Sequence, residues 1–226
     1  MKILGLIIAF SIVASGAPAL AQTASLPPPK SPVLPRAPAF ASWTITFSYK
    51  AIDKTSPQPI PDADPIQSLT VRKSLATYQE VTVYRSGKWE EKWIYDGIQL
   101  IKLPGSSVIV PISAPTELAP QSNYSDYSRT DFRGLEWVSR ASYKGIEVYE
   151  GKPAYYFEST SPAGKVSAFL SAEAQLPITS TGGDISCTYT FNPPHHTALI
   201  PPPDFLSVFE KRKRGLEALK YHQSPP

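Results

Sequence analysis

From Trp43 onward the chain repeats one pattern: apolar or aromatic side chains at every second position for a short run, then a turn. In "WTITFSYKAI", Trp43, Ile45, Phe47 and Tyr49 alternate with Thr44, Thr46 and Ser48. A period of two places the two sets on opposite faces of an extended strand, and no helix accommodates it. "SLTVRK", "TYQEVTVYR", "KWEEKWIY", "IQLIKL" and "SSVIVPI" continue the pattern with β-branched and aromatic residues. Ser86-Gly87 and Asp96-Gly97 separate them, and Asp-Gly is a strong two-residue hairpin signal. Successive hairpins make an antiparallel sheet.

The rhythm breaks between Ala114 and Ser142. Phe132, Leu135, Trp137 and Val138 there match one face of a short helix, with Gly134 counting against it. Strands resume at "GIEVYEG", "PAYYFES", "KVSAFLS", "PITSTGG" and "DISCTYTF". The closing "PPPDFLSVFEKRKRGLEALKYH" reads as a helix, with Asp204 as N-cap and Phe205, Val208, Phe209, Leu216 and Leu219 as an apolar stripe. The expected class is mainly β (α+β): a single antiparallel, strongly curved half-barrel sheet of about ten or eleven strands, a short mid-chain helix and a C-terminal helix.

Residues 1–21, "MKILGLIIAFSIVASGAPALA", combine Lys2, an apolar core and a small-x-small end at Ala19-Leu20-Ala21. They read as a cleaved secretory signal, too short for a comfortable membrane span, which points to a periplasmic or secreted protein. No cysteine lies there for lipid attachment. Residues 22–42 form a proline-rich leader, whose "SLPPPKSPVLPRAPAF" reads as a polyproline-like or disordered spacer. Residues 43–226 form the one expected domain. Within it, the proline-rich excursion Asp53–Gln67 reads as a loop or a flap over a sheet face.

The formal net charge of +3 argues against nucleic acid as a partner. Cys187 is the single cysteine, which excludes an internal disulfide and reads as a small buried hydrophobe. His195 and His196 are adjacent, so on extended backbone they point apart and do not share a metal. Glu90 and Glu91 likewise face opposite sides, and no nucleophile elbow, zinc-protease or phosphate-loop motif occurs. No cofactor or metal is expected. The run Lys211, Arg212, Lys213 and Arg214 spreads around its helix; it is either a solvated surface or a contact for anionic lipid headgroups.

The aromatic rows carry the functional expectation. Trp43, Phe47 and Tyr49 share a face of one strand, and Trp89, Trp93 and Tyr95 share a face of another. Each ring buries about 150–250 Å² when packed, and one terminal helix covers only part of so wide a sheet. Curling the sheet around a guest would use the remainder, and the six rings are the candidate lining.

The order of features resembles the LolA/LolB-like carrier fold. The resemblance rests on the hairpin "WIYDGIQLIKLPGSSVIVPI" and on "YEGKPAYYFESTSPAGKVSAFLSAEAQLPITSTGGDISCTYTF", where Leu176-Pro177 would form the turn between two strands. It implies an incomplete antiparallel barrel with helices at its opening. It departs from the lipoprotein carriers at the start, where the proline-rich leader replaces a helix, and no residue matches their functional arginine. The resulting expectation is a non-enzymatic exported protein that binds a lipid, acyl chain or other apolar group. The alternatives are an envelope protein with a filled core that binds protein partners or a membrane surface, and a hydrolase built from scattered residues.

Overall fold

The computed structural model describes residues 26–50, 64–112, 131–162, 164–194 and 196–223. Residues 1–21, where a secretory signal is expected, His195, most of the Asp53–Gln67 excursion and the Ser- and Tyr-rich residues before 131 lie outside them, as does the side chain of Leu219.

Eleven strands among the described residues form one open antiparallel sheet. They are β1 (Phe40–Tyr49), β2 (Ile66–Ser74), β3 (Thr77–Tyr84), β4 (Trp89–Tyr95), β5 (Ile98–Lys102), β6 (Ile109–Pro111), β7 (Tyr143–Tyr149), β8 (Lys152–Ser161), β9 (Gly164–Ser171), β10 (Pro177–Gly182) and β11 (Ile185–Phe191). The order across the sheet is β6-β5-β4-β3-β2-β1-β11-β10-β9-β8-β7. Two meanders therefore meet at β1, which pairs with β2 on one side and β11 on the other. Asp96 and Gly97 take φ of 47° and 77°, the double positive turn that joins β4 to β5 without splaying them. The sheet stays open. Its edges are the very short β6, which ends in Pro111, and β7, which is irregular between Tyr143 and Gly145; both features discourage pairing with another chain.

Register assigns each side chain to a face. Trp43 pairs with Val71, Val71 with Glu80, Glu80 with Lys92 and Lys92 with Ile101. Paired residues share a face, so Trp43, Glu80 and Lys92 lie on one side, called here the inner face, and Trp93 lies on the other.

The larger apolar cluster covers part of the inner face. Trp43, Ile45, Val71, Tyr78, Ile94, Tyr155, Phe157 and Leu170 meet Phe132, Leu135 and Val138 from the segment before β7. That segment forms turns at residues 131–138, and its one short helical element is the 3-10 turn Arg140–Ser142 that follows them. Gly134 at φ 81° breaks any helix there, and apolar side chains at helical spacing are satisfied equally well by turns pressed onto a sheet.

The second cluster lies on the outer face under α1 (Pro203–Gln223). Phe205 and Phe209 from the expected stripe are buried against Trp93, Ile98 and Leu100, with Tyr95, Val208 and Leu216 around them. The helix begins at Pro203, which has no amide to lose, so Asp204 sits in the first turn and not before it. Its carboxylate there favours the positive helix end and accepts a hydrogen bond from the Phe205 amide at 3.0 Å.

The leader is irregular yet pinned to the sheet. Gln175, buried at the β9–β10 turn, accepts a hydrogen bond from the Lys30 amide and donates to the carbonyls of Lys30, Pro32 and Val33. Tyr155 donates to the carbonyl of Pro27. Val33 and Ala37 join the inner core, so this stretch is part of the packed structure and not a free spacer.

Candidate functional site

The residues Asp131 to Gly134 divide the inner face into a filled part and a hollow part. Asp131 is fully buried and anchors the segment. One carboxylate oxygen accepts from Lys73 Nζ at 2.8 Å and from the Ala37 amide at 2.7 Å, the other from the Tyr78 hydroxyl at 2.7 Å. Burial, reinforced by this carboxylate, pushes the Tyr78 phenol well above its ordinary range. Phe132 then packs against Trp43, ring centres 5.4 Å apart and planes tilted by 59°. Arg133 reaches the Glu80 carboxylate at 2.7 Å, and Gly134 turns away along the wall of a cavity.

That cavity has a volume of about 540 Å³. Ile45 and Phe47 of β1, Leu69 of β2, Ile101 of β5 and Tyr189 of β11 supply apolar wall. Ile66 belongs to it because the β2–β3 register shifts between Ile66 and Ser68, and such a bulge re-aims the side chain. Its polar part is compact. Glu80 Oε2 accepts from Lys92 Nζ at 2.6 Å and from Arg133 at 2.7 Å, and Glu90 lines the wall nearby. Glu80 is 3 % exposed, and its Oε1 has no hydrogen-bond partner among the described residues. Cys187 also lines the cavity, and burial holds its thiol above the ordinary value against a lowering contact from Ser180. The thiol is therefore protonated and weakly nucleophilic near neutrality.

The six candidate rings separate. Trp43, Phe47 and Tyr49 are on the inner face; Trp89, Trp93 and Tyr95 are on the outer. Phe47 borders the cavity. Trp43 is 0 % exposed beneath Phe132, and Tyr49 spends its hydroxyl on the Ile66 carbonyl and its ring on Arg85. Trp93 is packed under α1 against Phe205, Tyr95 meets Phe209, and Trp89 is half exposed. α1 covers the face away from the cavity. Of the basic run on α1, Lys213 pairs with Asp96 at 2.7 Å, Arg214 turns back to the Glu210 carbonyl, and Lys211 is exposed beside the half-buried Arg212. Among the described residues there is no group of three or more His, Cys, Asp or Glu able to hold a metal. No described helix is long and apolar enough to cross a membrane.

Of the candidate lining Phe47 borders this cavity, whereas its charged residues Glu80, Lys92 and Arg133 were not singled out in the sequence. Glu80 and Lys92 carry a signal nonetheless: they are charges at positions in step with buried side chains of their strands.

These features define the class: a mainly β protein whose described residues form one open eleven-stranded antiparallel sheet with a single long helix on its outer face and a partly hollow inner face. No protein-family model matches the chain, and no curated protein matches it in sequence. Among solved structures it is similar to the Mycobacterium tuberculosis lipoprotein LppX, with a TM-score of 0.40 and 12 % identity over 72 % of this chain and 90 % of that one. A likeness at that level leaves function to be argued from this chain's own residues.

Proposed function

We propose that the protein is a non-enzymatic binder of an apolar molecule, a lipid or acyl chain, held on the inner face of the sheet. One observation carries the reading: a cavity of about 540 Å³ walled by Ile45, Phe47, Ile66, Leu69 and Ile101 with one compact charged group inside it. Ligand sites commonly measure about 300–1,000 Å³ and pair apolar walls with a few placed polar groups. Binding comes from removing apolar area from water at about 25 cal/mol per Å². Phe47 is the member of the expected lining that takes part, and Trp43 supports the wall from behind. The basic residues of α1 serve as a headgroup contact during delivery, with Lys211 the most available. Export through the 1–21 signal would place this activity in the periplasm or outside the cell.

The test is organic-solvent extraction of the purified protein followed by mass spectrometry. Wild type releases a co-purified apolar molecule, and Leu69→Trp, which places an indole in the hollow, releases none while keeping its melting temperature. A clean wild-type extract, with no change in tryptophan emission on adding lipid, overturns the reading.

A further inference from the structure

We infer that the guest is longer than the cavity, and that its projecting end is hydrocarbon lying along the β5–β6 edge of the inner face, over Ile112, Val110 and Val108. The inference rests on the cavity reading above and adds the class of molecule: a long-chain compound, held at one end of its chain and laid on the sheet edge at the other.

Three observations lead there. First, the apolar wall continues past the rim. Ile101 and Ile112 both line the cavity. Val110 pairs with Ile101 and lies two residues from Ile112, so all three share the inner face. Ile112 is 45 % exposed, Val110 36 % and Val108, the next position in step, 60 %. Isolated exposed aliphatics are ordinary on a protein surface, but a row that prolongs the wall of an apolar cavity is a patch with a place in a site. Second, the row is uncharged. Residues 105–112 carry no Asp, Glu, Lys or Arg. Lys102, the one cation of β5, is turned to the outer face, where it meets Asp204 of α1 at 3.4 Å. Nothing on the row would recognise a charged end. Third, the backbone there is a poor template for another strand. β6 is a three-residue edge strand ending in Pro111, which has no amide to donate. Side-chain surface is what the edge offers, and a chain already held at Ile101 and Ile112 reaches it as an intramolecular contact. Each added methylene that finds apolar surface should raise affinity roughly fourfold.

The experiment reads both ends of this path in one molecule. The full-length Val108→Cys variant, kept reduced and freed of co-purified molecules on a hydrophobic resin, carries two thiols. One is Cys187 in the cavity wall, the other lies at the exposed position 108. Their alkylation by N-ethylmaleimide is followed separately by peptide mass, with 1-octanol or 1-tetradecanol added. A melting curve matching wild type is expected, because Val108 lies outside the core. Both alcohols should protect Cys187, tetradecanol at concentrations at least about tenfold lower. The thiol at position 108 should be slowed severalfold by saturating tetradecanol and left unchanged by saturating octanol. No slowing at position 108 while Cys187 is protected overturns the path and leaves the cavity reading standing. Equal slowing there by both alcohols makes the row a separate surface, and a thiol already slow before any alcohol is added means that protein covers it; either overturns the path. Protection of neither thiol removes the cavity reading as well.

Discussion

Lys73 and Asp131, 58 positions apart in the chain, meet at 2.8 Å with both side chains almost wholly withdrawn from water. Burying two charges costs several kcal/mol per ion, offset here because each has further partners. Lys73 also donates to the Ala37 carbonyl, and Asp131 also accepts from Tyr78 and the Ala37 amide. The pair thus joins the leader, the sheet and the segment that shapes the cavity.

Breaking it on one side should be severe. Asp131→Ala leaves Lys73 charged and unpaired in the core, so unfolding in urea should show a loss of about 3–5 kcal/mol. The double variant Lys73→Met/Asp131→Leu should recover most of that loss.

Trp93 and Trp89, four residues apart on β4, should respond very differently. Trp93→Ala opens a hole beneath Phe205 and should cost about 3–5 kcal/mol, with earlier proteolysis of α1. Trp89 is half exposed, and Trp89→Ala should stay within about 0.5 kcal/mol of wild type.

Gln175 makes its four hydrogen bonds to the leader with one side chain. Gln175→Ala should speed hydrogen exchange at the Lys30 amide at least about tenfold, since each bond contributes roughly 0.5–1.5 kcal/mol net. The Ala37 amide, held instead by Asp131, should keep its protection.

Alkaline pH should destabilise the fold through its phenols. Burial, with help from Glu90, pushes Tyr84 up to about 12, and burial likewise raises Tyr78 and Tyr189. A folded-state pKa above the unfolded value of about 10 means that the unfolded chain releases its proton first as pH rises. The stabilisation is complete below about pH 10 and for Tyr84 is lost between about pH 10 and 12. Melting temperature should therefore fall steadily across that window, and Tyr84→Phe should make the fall shallower.

Strands were legible in the sequence because side-chain alternation is a local property. Trp43, Ile45 and Phe47 show their period within a few residues, and Asp96-Gly97 announces its own turn. Facing was not legible, since it depends on how many residues separate paired positions. Trp43 aligns with Lys92 through Val71 and Glu80, so Trp93, one residue further, lands on the opposite side. Two aromatic rows that look equivalent in sequence serve different cores. The leader misled for a related reason. Prolines lack an amide to donate, but their carbonyls accept well, and Pro27 and Pro32 are held that way. The site was hidden because Glu80 and Arg133 are joined only by the path of the chain.

Every ladder in the sheet but one joins strands that follow each other in the chain; the exception is β1 with β11, where Trp43 lies opposite Phe191. Closing that seam spans everything from β1 to β11, while within the meanders the longest link is the one between β1 and β2, residues 50–65. During synthesis β1 must therefore wait with one side unpaired until β11 emerges, which makes the seam both the slow step of assembly and the place where a second molecule would most readily intrude.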